Sequence, residues 1–505
     1  MLTKISRKKQ TLWRTAFMYV DIIVGILNGF IIVPLYLIYI DLGLYGAWLA
    51  TGNILMWLTI IDPGIGVVVT QKVSESYAKN NRNEIGKILA SSTILSLVSA
   101  LIALSCGIIV MFFIGEVLKL SSSIDIITLK KAFFYGTIGM AITLLGYFTG
   151  DALLGLQRSK RQGLIRSICG IISFILKPIF LFLGFGLLSI PLASLVGSII
   201  FMIATTFVLL QLLQEEKIKL IFDYKYFLSY SKIFLYTFSS KMFGTLKNNV
   251  DLILISRFVS LEMVAVFELT RRPMKILYGF ASRPATALIA AFANLKGEGD
   301  KSKLQDITGK ITFLSFAGLI FITSGFIAFN KDLISVWVGS ELFIGQTFNL
   351  MLALFFMFSN FTSILANLTY SLGNIKGNSL IEITRDSIAL ILLPILGYFF
   401  GLWGIILAPF AVVVFVEMVY FPKKLSKLIG ESKNIIYSIV NSNIIVLIIG
   451  IIFSIFFYNL SVKNWGPLIL YSALFTIIFI ISAFSFSRKF RQTVKSTRMM
   501  LISKG

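Results

Sequence analysis

Four cations, Arg271, Arg272, Lys275 and Arg283, fall inside the stretch LTRRPMKILYGFASRP, Leu269–Pro284, with apolar runs on both sides. On a helical wheel with Arg271 as origin, Lys275 stands at about 40°, Arg272 at about 100° and Arg283 at about 120°. Glu268 falls at about 60°, inside the same arc. Such an arc can close on itself as a buried ion-pair cluster, with Glu268 answering Arg271 or Arg272 at i+3 or i+4. It can also face a water-filled cavity and receive an anion. One carboxylate does not balance four cations, and the guanidinium fork suits phosphate because it bonds two oxygens at once.

The preceding polar stretch carries Lys241, Lys247 and Asp251. Lys247 and Asp251 are i, i+4 partners that can neutralise each other, and Lys241 lies on another face beside Ser240 and Thr245, where it suits a cavity. Near the start of the chain Asp21, Gly25 and Asn28 share one helix face, with Pro34 beyond. A carboxylate, an amide oxygen and carbonyls freed by proline could bind Na⁺ or exchange a proton; the same residues also make an ordinary helix–helix hydrogen-bond seam. Asp62, ahead of Pro63-Gly64, reads as a hinge, gate or cap. Asp151, Glu382, Arg385 and Asp386 are further charges in apolar surroundings, and Arg385 reads as the i+3 partner of Glu382.

The elements that must hold these groups are membrane helices. Of 505 residues 57% are hydrophobic and 14% charged, too few charges to cover a soluble protein of this length. Apolar runs of about 20 residues cross a bilayer core. The chain is therefore expected to be an all-α polytopic membrane protein with fourteen spans, near 15–38, 45–69, 88–114, 132–154, 164–184, 190–213, 233–257, 263–290, 311–329, 347–370, 379–399, 404–421, 438–458 and 466–486. Alternate loops carry roughly two thirds of the Lys and Arg, which by the positive-inside rule places both termini in the cytoplasm. That rule also accounts for the net charge of +23 without nucleic acid, since the cations are spread over short loops.

Other chemistries are excluded. There is no histidine, and the two cysteines, Cys106 and Cys169, sit in apolar runs, so there is no zinc spacing or disulfide framework. No phosphate-binding loop, D-x-D or nucleophile elbow occurs. The loops are too short for a catalytic module, so no enzyme and no cofactor is expected, beyond coupling to Na⁺ or H⁺.

The chain repeats itself. LQRSKRQGLI ending at Ile165 matches LGNIKGNSLI ending at Ile381; ILKPIF matches ILLPIL, pairing Pro178 with Pro394; GLLSIPLA (186–193) matches GLWGIILA (401–408). IDPG and SRPA pair Asp62-Pro63 with Arg283-Pro284. Six spans per half give both halves one orientation, as in parallel-repeat transporters. The expected organisation is a cytoplasmic N-terminus at 1–14, an N-lobe at 15–220 (helices 1–6), a C-lobe at 228–430 (helices 7–12), two extra helices at 438–486 and a basic cytoplasmic tail at 487–505.

PLYLIYIDLGLYGAW (34–48), IIDPGIGVVVTQKVSESYAKNNRNEIGKI (60–88) and LLGLQRSKRQGLIRS (153–167) resemble the polysaccharide and O-antigen flippases (Wzx type) of the multidrug/oligosaccharidyl-lipid/polysaccharide exporter superfamily. The resemblance covers about residues 10–430 and includes an Asp-x-Gly turn before a polar segment, here Asp62-Pro63-Gly64. It implies two six-helix lobes around a cationic cavity, working by alternating access in a bacterial inner membrane. The substrate implied is a polyprenyl-pyrophosphate-linked oligosaccharide. The partners implied are that lipid-linked substrate, membrane lipids and other polysaccharide-assembly membrane proteins. Arg271, Arg272, Lys275, Arg283, Lys241 and Lys247 would then bind substrate, and Asp21, Asn28, Asp62, Asp251 and Glu268 would couple an ion or gate. The lipid II flippases are similar but place cations in span 1, where this chain carries Asp21. A cation-coupled multidrug or small-molecule exporter is the alternative on the same fold. It would need an acidic cavity for cationic drugs.

Overall fold

A computed structural model describes residues 7–62, 64–120, 124–228, 231, 242, 244–287, 301–430 and 435–502. Regular structure among them is helical, in two compact units, Met1–Ala265 and Val266–Gly505.

The first unit holds α1 (Arg7–Leu27), a π-turn (Asn28–Ile32), α2 (Val33–Tyr39), α3 (Leu42–Leu58), α4 (Ile65–Ala78), α5 (Arg82–Leu118), α6 (Ile126–Gly155), α7 (Ser159–Phe180), α8 (Ser189–Glu215) and α9 (Asp251–Phe258). α10 (Leu261–Ala287) leads into the second unit. There follow α11 (Lys301–Trp337), α12 (Gln346–Ser371), α13 (Ile375–Val412), a π-turn (Val413–Glu417), α14 (Met418–Ile429), α15 (Ile435–Tyr458), α16 (Trp465–Phe486) and α17 (Arg488–Ile502).

Ten helical stretches among the described residues are long and apolar enough to cross a membrane. Two of them, Ser159–Glu215 and Ile375–Ile429, run to 57 and 55 residues, enough for two crossings each. α10 stands where the eighth span is read from the sequence; of the seventh, 233–257, residues 233–241 and 243 lie outside the described residues, and the rest turns at Asn249–Val250 before α9. Several helices overrun their apolar core: α5 has 37 residues, about 55 Å of helix against a core of about 30 Å. The second expected span is not one helix. It breaks after Ile61, Gly64 takes a left-handed φ of 90°, and α4 restarts at Ile65.

The duplication is visible in the backbone. Gly186 (φ 50°, ψ −126°) and Gly401 (φ 54°, ψ −130°) occupy the matched positions of GLLSIPLA and GLWGIILA. This region of backbone space is closed to side chains with a Cβ, so both halves use glycine for the same bend. Gln157 and Gly373, also paired by the repeat, both have positive φ, 60° and 90°. Pro178 and Pro394 both lie inside helices.

Each unit has its own core. In the first, Val69, Val73, Ile85, Ile88 and Leu89 pack on Ala152, Leu153 and Leu212. In the second, Phe316, Phe361, Leu365, Phe421, Phe475 and Phe479 join α11, α12, α14 and α16.

Candidate functional site

α10 is continuous from Leu261 to Ala287 through Pro273 and Pro284. Its apolar face, Leu269, Thr270, Met274 and Tyr278, is fully buried. Tyr278 Oη bonds Thr323 Oγ1 at 2.5 Å and stacks on Phe356. Asn330 Nδ2 donates to the Thr270 carbonyl at 3.0 Å, next to the carbonyl that Pro273 leaves without its helical donor. The Thr270 hydroxyl accepts from Ile344 N at 3.1 Å. α10 is thus pinned on one side by α11 and α12, which fixes where its charged side points.

On that charged side, Glu268 accepts from Arg271 Nε at 2.5 Å and from Lys275 Nζ at 3.1 Å on both oxygens. The Arg271 guanidinium also lies 4.5 Å over the Phe267 ring. Glu268 and Arg271 are nearly buried, with side chains 13% and 9% exposed, while Lys275 is 42% exposed. One carboxylate therefore engages two cations. Arg272 makes no ion pair or hydrogen bond among the described residues, and its Nη1 is buried. A buried guanidinium N–H without an acceptor carries an unrecovered desolvation cost, which an anion would offset. On the same helix Pro273 and Leu277 border an apolar cavity of about 250 Å³ lined by Phe326, Phe329 and Phe475.

The remaining expected site residues divide. Arg283 lies in α10, but its side chain, like all of Lys241, falls outside the described residues. Lys247 is half-buried. Asp251, the first residue of α9, accepts from Asn53 Nδ2 of α3 at 3.3 Å and from Leu252 N at 2.8 Å. Asp62 caps α4: its Oδ1 accepts from Gly64 N at 3.2 Å and Ile65 N at 3.0 Å. It also borders a cavity of about 210 Å³ with Asp151, Ser96, Ser99 and Tyr147.

Asp21 and Asn28 are met by cations of α7. Arg166 Nε lies 2.9 Å from Asp21 Oδ2, and Lys177 Nζ donates to Asn28 Oδ1 at 2.9 Å. Arg385 does not pair with Glu382 as its spacing suggested. Its Nε and Nη2 hold Asp386 at 2.7 and 3.1 Å, and its Nη1 holds Glu417 at 3.0 Å. Glu417, which also accepts from the Thr362 hydroxyl, was missed from the sequence. A lone carboxylate in the apolar run AVVVFVEMVY was the available signal. No cluster of His, Cys, Asp or Glu able to hold a metal occurs among the described residues.

Solved structures with this fold include the lipid II flippase MurJ in an inward closed conformation, at a TM-score of 0.70 and 18% identity over 94% of this chain and 99% of that one. A multidrug-resistance MATE transporter of the MOP superfamily, inward-facing, matches at 0.63 and 16% identity over 86% of this chain and 98% of that one. A MOP-superfamily transporter from Pyrococcus furiosus, described by its binding pocket of reverse polarity, matches at 0.56 and 16% identity over 85% of this chain and 100% of that one. Among curated proteins none matches the sequence significantly. The sequence pattern of the polysaccharide biosynthesis protein family matches residues 13–296, more than half of the chain, and the protein belongs to that family.

Proposed function

We propose that this protein is a flippase that moves a polyprenyl-pyrophosphate-linked oligosaccharide, a polysaccharide or O-antigen repeat unit, from the cytoplasmic to the outer leaflet of a bacterial inner membrane by alternating access. Both termini lie in the cytoplasm. The observation that carries the reading is the Arg272 guanidinium, part-buried and without an acceptor among the described residues, in an arc whose one carboxylate already binds Arg271 and Lys275. Arg272 takes the pyrophosphate first. Lys275, half in solvent, can swing from Glu268 to share it. The apolar cavity beside Pro273 and Leu277 suits an isoprenoid chain carried by the same substrate. Coupling to Na⁺ or H⁺ through Asp21 and Asn28 has to displace Arg166 and Lys177 from them.

A second reading, transport of lipid II, is favoured by the likeness to MurJ over nearly the whole of both chains. Both substrates offer an anionic lipid to the same cations. The experiment is deletion of the gene, extraction of the polyprenyl-linked lipids, and complementation with wild type or Arg272→Ala. Accumulation of a completed pyrophosphate-linked oligosaccharide with loss of surface glycan supports the first reading, and accumulation of lipid II supports the second. Arg272→Ala should lower export about tenfold to a hundredfold, the loss of one charge-assisted bond, at unchanged protein level. Full export by Arg272→Ala would reject the anion site.

A further inference from the structure

A cationic cavity of about 670 Å³ lies where the first turns of α11, the start of α15 and the start of α17 meet. α17 follows the membrane helix α16 after Ser487 alone, so this cavity sits at the boundary between membrane and water. Three cations line it, Lys310, Arg488 and Lys489, against one carboxylate, Asp306. Lys310 is paired with Asp306 at 2.6 Å, and Lys489 donates to Ser442 Oγ at 2.5 Å. Arg488 is exposed and makes no ion pair or hydrogen bond among the described residues. The lining is thus two positive charges in excess, with one guanidinium uncommitted.

The local helix makes that excess costly. α17 opens RKFR with no acid in its first turn. Cations there oppose the helix dipole, whose positive end favours an anion. The arrangement is nevertheless held in place, because Phe490 packs on Phe313 and Phe484 at ring distances of 6.4 and 5.2 Å. A bound anion would offset both the dipole and the charge excess, and Ser438 adds a hydroxyl donor.

We propose that this cavity is a binding site for a phosphate-bearing anion, supplied by the headgroup of an anionic phospholipid or by a soluble phosphate. Basic pockets at the ends of membrane helices take such headgroups. The site is separate from the transport reading, because its test involves no transport.

The full-length protein is purified in neutral detergent. Its thermal midpoint is measured with phosphatidylglycerol, with phosphatidylcholine and with inorganic phosphate, and retained lipid is counted by native mass spectrometry. Phosphatidylglycerol should raise the midpoint saturably by several degrees, and phosphatidylcholine should not. The combined variant Lys310→Gln, Arg488→Gln, Lys489→Gln should lose the shift and at least nine tenths of the retained phosphatidylglycerol. An equal shift with inorganic phosphate assigns the soluble source. No response to either anion, or an unchanged response in the variant, overturns the site. Should the combined variant not fold, Arg488→Gln alone, which breaks no bond among the described residues, should at least halve lipid retention; full retention there overturns the site as well.

Discussion

Two charged clusters in the second unit use the same ingredients with opposite signs. On α10, Arg271, Arg272 and Lys275 surround one carboxylate, Glu268, and Arg272 makes no hydrogen bond or ion pair among the described residues. In the first third of α13, Arg385 is clasped by Asp386 and Glu417, and Thr362 completes Glu417. The second cluster is closed. Its guanidinium forks into two carboxylates whose side chains are 6% and 5% exposed. The first is open by one cation. What separates the two clusters is therefore neither depth nor residue type. It is whether the neighbouring groups satisfy every buried donor.

The largest expected effect tests the closed cluster. Arg385→Ala leaves two buried carboxylates without their cation, and breaking such a pair from one side costs about 3–5 kcal/mol. Thermal unfolding of the purified protein, or its level in the membrane, should show that loss. Arg272→Ala should not lower the same measurements, because no bond among the described residues is broken and a buried unsatisfied donor is removed. If Arg272→Ala destabilises as much as Arg385→Ala, the distinction between closed and open clusters fails.

Glu268→Gln asks the opposite question of the open cluster. Removing the carboxylate charge takes from the nearly buried Arg271 the anion it pairs with, at a cost of about 1–3 kcal/mol. It also ends the Glu268–Lys275 ion pair. Pyrophosphate added to the purified protein should then recover stability more steeply in Glu268→Gln than in wild type. An identical response in both proteins would show that Glu268 does not hold these cations back from an anion.

The extent to which this was legible in the sequence follows the range of the interactions. Bilayer thickness dictates the length of an apolar run, so the spans emerged from composition alone. The cationic arc needed nothing beyond the helical repeat, and Glu268 fell inside it, where the structure places it. Partners on other helices were not legible. Arg385 has Glu382 at the right spacing on its own helix, yet packing of the chain beyond the Gly401 bend delivers Glu417 instead. Asp21 and Asn28 form a polar face in one dimension. That the face meets Arg166 and Lys177 depends on how α1 packs on α7. The break at Asp62 lay between the two, since the Asp-Pro-Gly signal suggested a cap and the structure supplies its two donors.

The smallest effect belongs to a pair outside the membrane helices' interior, and it sets the lower end of the scale. Lys87 Nζ lies 2.7 Å from Asp223 Oδ2, with both side chains about a third exposed. The hydrogen bond from Lys87, helped by that from Tyr226 N, holds the Asp223 carboxyl below its ordinary value. A carboxyl lowered in the folded state stabilises fully above its unfolded pKa, about 3.9. That contribution is lost as pH falls through the lower folded value. Wild type should therefore be slightly more stable than Asp223→Asn at pH 7, and the difference should begin to shrink below about pH 4 and vanish only once the pH is below the lowered folded value. Added salt should shrink it at neutral pH as well, because exposed pairs are screened within about 10 Å at 0.1 M. Thermal midpoints of the two proteins across pH and salt measure this directly. A gap that persists in acid would mean that Asp223 acts by shape rather than charge, which the buried Arg385 cluster would not predict for a pair so open to water.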